Sequence, residues 1–139
     1  MLSISRNVAA AAVDAITAKI EVGAGTARID IYDGAKPVAP DMTPSTQLLL
    51  LRVMLPANVF PPAVEVDGGA QSTAAAGLKG ETLANGVASW FVIFSKDGVP
   101  IMTGDCSLPD GTGECKLQNL QIIAGRLIYI RSLIAFHPE

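Results

Sequence analysis

Reactive side chains are few in this chain of 139 residues, whose only cysteines are Cys106 and Cys115 and whose only histidine is His137. A serine or cysteine nucleophile needs a base held beside it, and His137 stands two residues from the end of the sequence, where chains tend to fray. Two cysteines and one distant histidine do not complete the four-ligand set of a zinc site. The sequence therefore predicts a protein that is not an enzyme and that holds no metal.

The two cysteines flank a loop that contains residues 110–113. If the segments on either side pair as a hairpin, the two sulfur atoms can face each other and a disulfide is geometrically feasible. In a reducing compartment, where a chain without a signal peptide is made, the same residues remain free and partly buried thiols. We expect free thiols, and the sequence alone leaves the pairing open.

Glycine-rich and acidic clusters offer two other kinds of site. Residues 23–25 and 111–113 are too short for a phosphate-binding loop, because neither continues into a Gly-Lys-Ser/Thr pattern that opens a helix. Asp105, Asp110 and Glu114 surround one loop and carry the oxygen ligands that calcium prefers, but the twelve-position calcium-loop pattern is absent. We interpret these segments as solvated turns and expect no cofactor.

Charge and hydropathy exclude two classes of partner. The formal net charge is −3, and the ten Lys and Arg residues are scattered from Arg6 to Arg131, so no basic patch for nucleic acid is predicted. The longest apolar runs, residues 48–51 and 87–94, are far shorter than the roughly 18–20 residues that span a bilayer. With half of its residues hydrophobic, the chain is expected to form a single domain over residues 1–139 with a substantial core.

Hydrophobic periodicity divides the chain into one N-terminal helix and a series of strands. The alanine-rich segment 6–20 favours helix, and apolar residues repeat every four positions along one face: Val8, Ala12, Ile16 and Ile20. Alternation and turn residues then predict strands at residues 26–32, 48–55, 87–95, 99–105, 114–123 and 126–136. Short strands separated by frequent turns predict a mainly β fold, an antiparallel β-sandwich or jelly roll with one α-helix.

Several strands are apolar on both faces. Residues 87–95 place Trp90, Val92 and Phe94 on one face and Val87, Phe91 and Ile93 on the other, so both faces of this strand must be covered. Residues 126–136 alternate two sets: Ile128, Ile130, Ile134 and Phe136 against Leu127, Tyr129, Arg131 and Leu133. An apolar surface beyond what one core requires is typical of a protein interface, although the helix and long loops can also cover such faces.

Three segments carry a resemblance to a known family: residues 22–37 (VGAGTARIDIYDGAKP), 48–51 (LLLL) and 86–98 (GVASWFVIFSKDG). They resemble a family of small virion proteins from tailed bacteriophages and prophages, whose members place a helix before the first segment and a "WF" strand ending in Asp-Gly later. These proteins are similar to the capsid cement or decoration proteins with a jelly-roll fold. Cys106, Cys115 and the final residues 137–139 depart from that pattern, so the resemblance assigns no role to the cysteines.

The resemblance implies a structural protein at the virion surface, made in the host cytoplasm. Its expected partners are the major capsid protein, whose shell it binds from outside, and a second copy of itself in a homodimer. Direct contact with nucleic acid or membrane is not expected. Two alternatives stay open: a head–tail connector or tail structural protein, and a β-sandwich module that binds carbohydrate or a receptor.

The predicted contact surface combines extended proline-rich segments with exposed strand faces. Proline pre-orders an extended segment, so that laying residues 35–47 or the loop 56–62 across a neighbour loses less conformational entropy. The strands 48–55 and 126–136 supply the apolar faces. The candidate contact residues are Pro37, Pro40, Pro44, Leu50, Arg52, Met54, Phe60, Pro61, Tyr129 and Arg131.

Overall fold

A computed structural model describes residues 2–39, 44 and 46–139 of the chain. One helix, α1 (Arg6–Ile20), precedes all the strands. The strands are β1 (Arg28–Tyr32), β2 (Leu49–Met54), β3 (Val64–Val66), β4 (Gly69–Thr73), β5 (Lys79–Glu81), β6 (Gly86–Val87), β7 (Trp90–Phe94), β8 (Pro100–Ser107), β9 (Cys115–Leu117), β10 (Gln121–Ile122) and β11 (Leu127–Pro138). The prediction of a mainly β fold with one N-terminal helix is confirmed, and the architecture is consistent with a β-sandwich.

Most strands belong to one large sheet with the order β2-β1-β7-β8-β9-β11-β4-β3. β5 adds to β11 beside β4, and β10 pairs with β6 in a separate two-stranded sheet. The predicted hairpin of residues 87–95 and 99–105 is present as the antiparallel pair β7 and β8. One pairing departs from an all-antiparallel arrangement, since β8 and β9 run parallel with Cys106 opposite Cys115. The sheet is therefore mixed.

Both faces of β7 are covered, as its sequence predicts, whereas Val87, predicted in the same strand, lies in β6 and is about half exposed. Phe91 and Ile93 enter the main core, together with residues of β1, β2, β9 and β11. Trp90 and Val92 lie on the other face and are also buried. The Trp90 ring stacks on Tyr32 with 4.6 Å between ring centroids, and its Nε1 donates a hydrogen bond to the Asp33 carbonyl oxygen at 2.9 Å.

Helix α1 has the predicted bounds but not the predicted buried stripe. Val8 is about half exposed, whereas Ala9, Val13 and Ile20 are buried. The first two positions of the predicted stripe, Val8 and Ala12, are therefore each wrong by one residue. Ala9 and Val13 form a second small core with Ala70 of β4 and Ala135 of β11. Small residues on both sides let the backbones approach closely, and this contact selects the face that is buried.

Strand β11 contains a register shift between Ile130 and Ser132, where it pairs with β9. This irregularity reverses the alternation that the sequence predicts beyond the shift. Leu133 is buried in the main core instead of sharing an outer face with Tyr129, and Phe136 is about half exposed. Within the described ranges, no helix is both long and apolar enough to span a membrane.

Candidate interaction surfaces

The predicted contact residues fall into separate regions of the surface. Pro37 and Pro44 are half-buried, and Pro40 lies outside the described residues. Lys36 Nζ lies 3.0 Å from Asp105 Oδ1, which joins the segment after β1 to the end of β8. This ion pair brings part of the proline-rich segment close to the strand that follows β7.

Leu50 is a correction to the predicted contact set. Its side chain is fully buried in the main core together with that of its neighbour Leu51. Both can be buried because residues 82–86 lie against β2: Leu51 pairs with Thr82, Leu83 N donates to the Leu50 carbonyl oxygen, and the Leu50 side chain lies close to Gly86. Arg52 and Met54, further along the same strand, remain exposed as predicted.

Arg52 is held in place by a buried carboxylate. Its Nε and Nη2 atoms donate to Asp30 Oδ1 and Oδ2 at 2.7 and 2.9 Å, and the Asp30 side chain is only 1% exposed. Arg28 approaches the same carboxylate at 3.5 Å and lies over the Phe94 ring, 4.1 Å from its centroid. The hydrogen bond to Asp30 raises the pKa of Arg52 above its ordinary value. Arg52 therefore belongs to an ion-paired network on the sheet rather than to a freely mobile surface.

Phe60 and Pro61 line a cleft between α1 and the loop that follows β2. The cleft has a volume of about 440 Å³. Its walls are tied together by acidic side chains of the helix region, since Asp14 Oδ1 accepts from Ala63 N at 2.8 Å and Glu21 Oε1 accepts from Asn58 N at 3.0 Å. These bonds hold the loop against the helix.

Tyr129 and Arg131 lie together in the largest of the described hollows, a concavity of about 650 Å³ on the outer face of β11. We call it the Tyr129 concavity. Its lining residues are Gln118, Asn119, Gln121, Ile123, Arg126, Leu127, Ile128, Tyr129 and Arg131. They include two guanidinium groups and no carboxylate. The concavity is thus lined by apolar and cationic side chains together with amides.

The polar groups of the Tyr129 concavity are ordered by contacts with their neighbours. Arg131 Nη1 donates to Gln118 Oε1 at 2.7 Å, and Lys79 Nζ lies 5.8 Å from the centre of the Tyr129 ring. Leu127 and Tyr129 are each about half exposed. The exposed face of β11 was predictable from its alternation, but the presence of Gln118, Asn119 and Ile123 beside it was not, because only the fold brings the segment around β10 next to β11.

Cys106 and Cys115 are free thiols that face each other across the parallel pair β8 and β9. A hydrogen bond with Cys115 and burial together raise the pKa of Cys106 far above that of an ordinary thiol. The Cys106 thiol is therefore protonated at neutral pH and is a poor nucleophile.

No family model matches this chain, no curated protein matches it, and no solved structure matches it.

Proposed function

We propose that this chain is a structural virion protein that binds the outside of a major capsid protein shell as a cement or decoration protein. It acts as a homodimer, it has no catalytic activity, and its site of action is the capsid surface. The resemblance of residues 22–37, 48–51 and 86–98 to small virion proteins of tailed bacteriophages is the starting point.

The observation that carries the proposal furthest is the Tyr129 concavity. It combines half-exposed apolar side chains with two guanidinium groups, one just before β11 and one on it, and β11 is paired with both β5 and β9. A preformed surface of this kind loses little conformational entropy when a partner binds. Aromatic and arginine side chains are also the residues that most often contribute large binding energies in protein interfaces.

Weak contacts are sufficient in this role because they are repeated. A dimer that contacts two shell subunits gains effective concentration from the first contact when it makes the second. Many such clamps across a shell oppose the outward pressure of packaged DNA. This mechanism requires rigid surfaces and repetition rather than a reactive side chain.

The proposal is tested on particles assembled without the protein, with the wild-type protein, or with the double variant Tyr129→Ala and Arg131→Glu. We expect particles without the protein, and particles with the double variant, to release DNA at a lower temperature than wild-type particles. When the salt concentration is lowered stepwise, we expect them to release DNA while the ionic strength is still higher than wild-type particles require. Val64→Ala is the matched control, because Val64 is also about half exposed but lies on a different strand, β3, and it is expected to behave as wild type. Equal DNA retention with and without the protein contradicts the cementing role.

Replacing residues 35–47 with a Gly/Ser linker of equal length tests the proline-rich segment separately. If this segment helps to clasp the shell, the linker variant is expected to occupy fewer sites per particle. The number of copies per particle distinguishes the alternatives within the virion: a cement protein follows the shell lattice, and a connector forms a single ring. If the linker variant occupies as many sites per particle as the wild type, residues 35–47 are not part of the contact surface.

A glycan-binding module remains the second candidate because of one feature of the concavity. The half-exposed Tyr129 lines the same concavity as Gln118, Asn119 and Gln121, and an aromatic ring with side-chain amides suits stacking on a sugar face and hydrogen bonding to its hydroxyls. Titration with a panel of oligosaccharides, with Tyr129→Ala as the negative control, tests this function. Saturable binding that Tyr129→Ala abolishes favours the glycan module over the cement protein.

A further inference from the structure

The large sheet has a gap between β8 and β11. β9 lies between these strands but pairs with only residues 106–107 of β8 and residues 130–133 of β11. Just before β9, residues 113–114 still lie between the two strands, since Ile134 N donates to the Glu114 carbonyl oxygen at 3.0 Å. Past them, residues 101–103 of β8 and 135–136 of β11 continue without a strand between them, although β8 still pairs with β7 and β11 with β4 on their other sides. We call this gap the open strand position.

The backbone hydrogen-bonding groups on both sides point into the open strand position. Cys106 N donates to Ser89 O in the β7–β8 ladder, and Ala74 N donates to Leu133 O beside β4. Because the groups of successive residues alternate in direction along a strand, those of Thr103 point away from β7 and those of Phe136 point away from β4. Among the described residues, the N–H groups of Thr103 and Phe136 have no backbone partner on this side.

The gap is bounded by apolar walls. β8 and β11 each lie one strand spacing from β9, which places them about 10 Å apart where β9 separates them. Two hollows of about 250 and 340 Å³ lie along the gap and share Glu114, Ile134 and Phe136 in their walls. Ile101 and Met102 of β8 and Ile16 of α1 add further apolar surface.

One charged group in the open strand position lacks a counter-ion. Glu114 is half-buried, and its carboxylate has no ion pair or hydrogen bond among the described residues. Lys116, on the same strand, donates instead to the carbonyl oxygens of Gly111 and Gly113 at 2.7 and 3.0 Å. Asp105 is already paired with Lys36. A partly desolvated carboxylate without a partner favours a cation on whatever occupies the gap.

We propose that the open strand position binds an extended segment of a partner protein that carries a lysine or arginine facing Glu114. The segment adds a strand parallel to β8 and antiparallel to β11, the same directions as β9. Main-chain hydrogen bonds to Thr103 and Phe136 provide affinity, and alternate side chains enter the apolar walls. This inference goes beyond the cement function and does not depend on it, since it concerns the chemistry of the partner segment alone.

The probe is an acetylated and amidated hexapeptide that alternates valine and threonine around one central lysine. We expect it to bind the full-length protein, to shift the amide resonances of Thr103 and Phe136, and to protect both amides from hydrogen exchange. The same peptide with N-methyl groups on the backbone amides that face the strands lacks the donors and is expected not to bind. A peptide with glutamate in place of lysine is expected to bind at least about tenfold more weakly, because the charge-assisted hydrogen bond is lost.

The variant Glu114→Gln removes the charge and keeps the shape of the side chain. We expect it to abolish the preference for the lysine peptide, whereas Glu81→Gln, at an exposed carboxylate on β5, preserves the preference. The proposal is overturned if the peptide does not bind at millimolar concentration, if N-methylation has no effect, or if the preference survives in Glu114→Gln. It is also overturned if Thr103 and Phe136 are already protected in a dimer of the protein alone, because a second copy then fills the gap.

Discussion

The ion pair between Asp30 and Arg52 predicts that its two members contribute unequally to stability. Asp30 is buried on β1, whereas the Arg52 side chain is 42% exposed. Replacing Arg52 with methionine leaves a buried carboxylate with only the 3.5 Å contact to Arg28. Replacing Asp30 with alanine leaves the guanidinium groups of Arg52 and Arg28, whose side chains are 42% and 26% exposed, so water can solvate both. The first change is therefore expected to cost more than the second.

The size of the effect follows from the two hydrogen bonds that Arg52 donates to Asp30, at 2.7 and 2.9 Å. Hydrogen bonds to charged groups contribute about 1.5–3 kcal/mol each, and the exposure of Arg52 reduces this through screening. We expect Arg52→Met to lower the free energy of unfolding by about 2 kcal/mol and Asp30→Ala by about 1 kcal/mol. Because the two residues interact directly, the double variant is expected to lose less than the sum of the single changes.

Urea unfolding followed by Trp90 fluorescence measures these differences. Trp90 is the only tryptophan, is buried, and stacks on Tyr32 of the strand that carries Asp30. Arg131→Met, at an exposed arginine bonded to Gln118, is the matched control and is expected to change stability by less than about 0.5 kcal/mol. The reasoning is refuted if Arg52→Met is as stable as the control, or if Asp30→Ala is clearly the more destabilising change.

Three other predictions concern single sites. The Cys106 thiol, whose pKa is raised by its hydrogen bond with Cys115 and by burial, is expected to react with a chromogenic disulfide reagent at pH 8 only after unfolding; rapid reaction of the folded protein contradicts this. Because the pKa of this thiol is raised in the folded state, its contribution to the free energy of unfolding is fully present below the ordinary thiol pKa and is lost as the pH rises above it. Cys106→Ala is expected to reduce this loss of stability in urea titrations at successive pH values. Gly104→Ala is expected to destabilise by about 1–3 kcal/mol in thermal unfolding, because a Cβ there would lie 2.5 Å from the Phe91 ring, and a variant as stable as wild type would show that the ring can move.

Local features of the fold were predictable from the sequence. The helix α1 has its expected bounds because an alanine-rich segment followed by Val22 and Gly23 favours a helix that stops there. The β7–β8 hairpin was predictable because Lys96, Asp97 and Gly98 supply turn chemistry between two apolar strands. These features depend on neighbours in sequence.

Features that depend on distant partners were not predictable. The buried face of α1 is selected by Ala70 and Ala135, which come from two strands far along the chain. The register shift in β11 moves Leu133 into the core, and no residue in that strand marks the position of the shift. The burial of Leu50 likewise depends on the segment around Thr82 and Leu83.

The candidate surfaces show the same division. Exposure of Tyr129 and Arg131 followed from the alternation of their strand, but the amides that share their concavity come from the segment after β9. The open strand position has no sequence signature, because it arises from the short length of β9 between two longer strands.

The docking of α1 has a consequence for the order in which the chain folds. The helix comes first in sequence, but its apolar stripe is covered by β4 and by β11, the last strand. Arg6, at the start of the helix, also pairs with Glu139 at 2.8 Å. During synthesis the helix can form locally within microseconds, yet it has no complete surface to pack against until residues 127–138 have been made. The packing of α1 is therefore completed only after β11 is available.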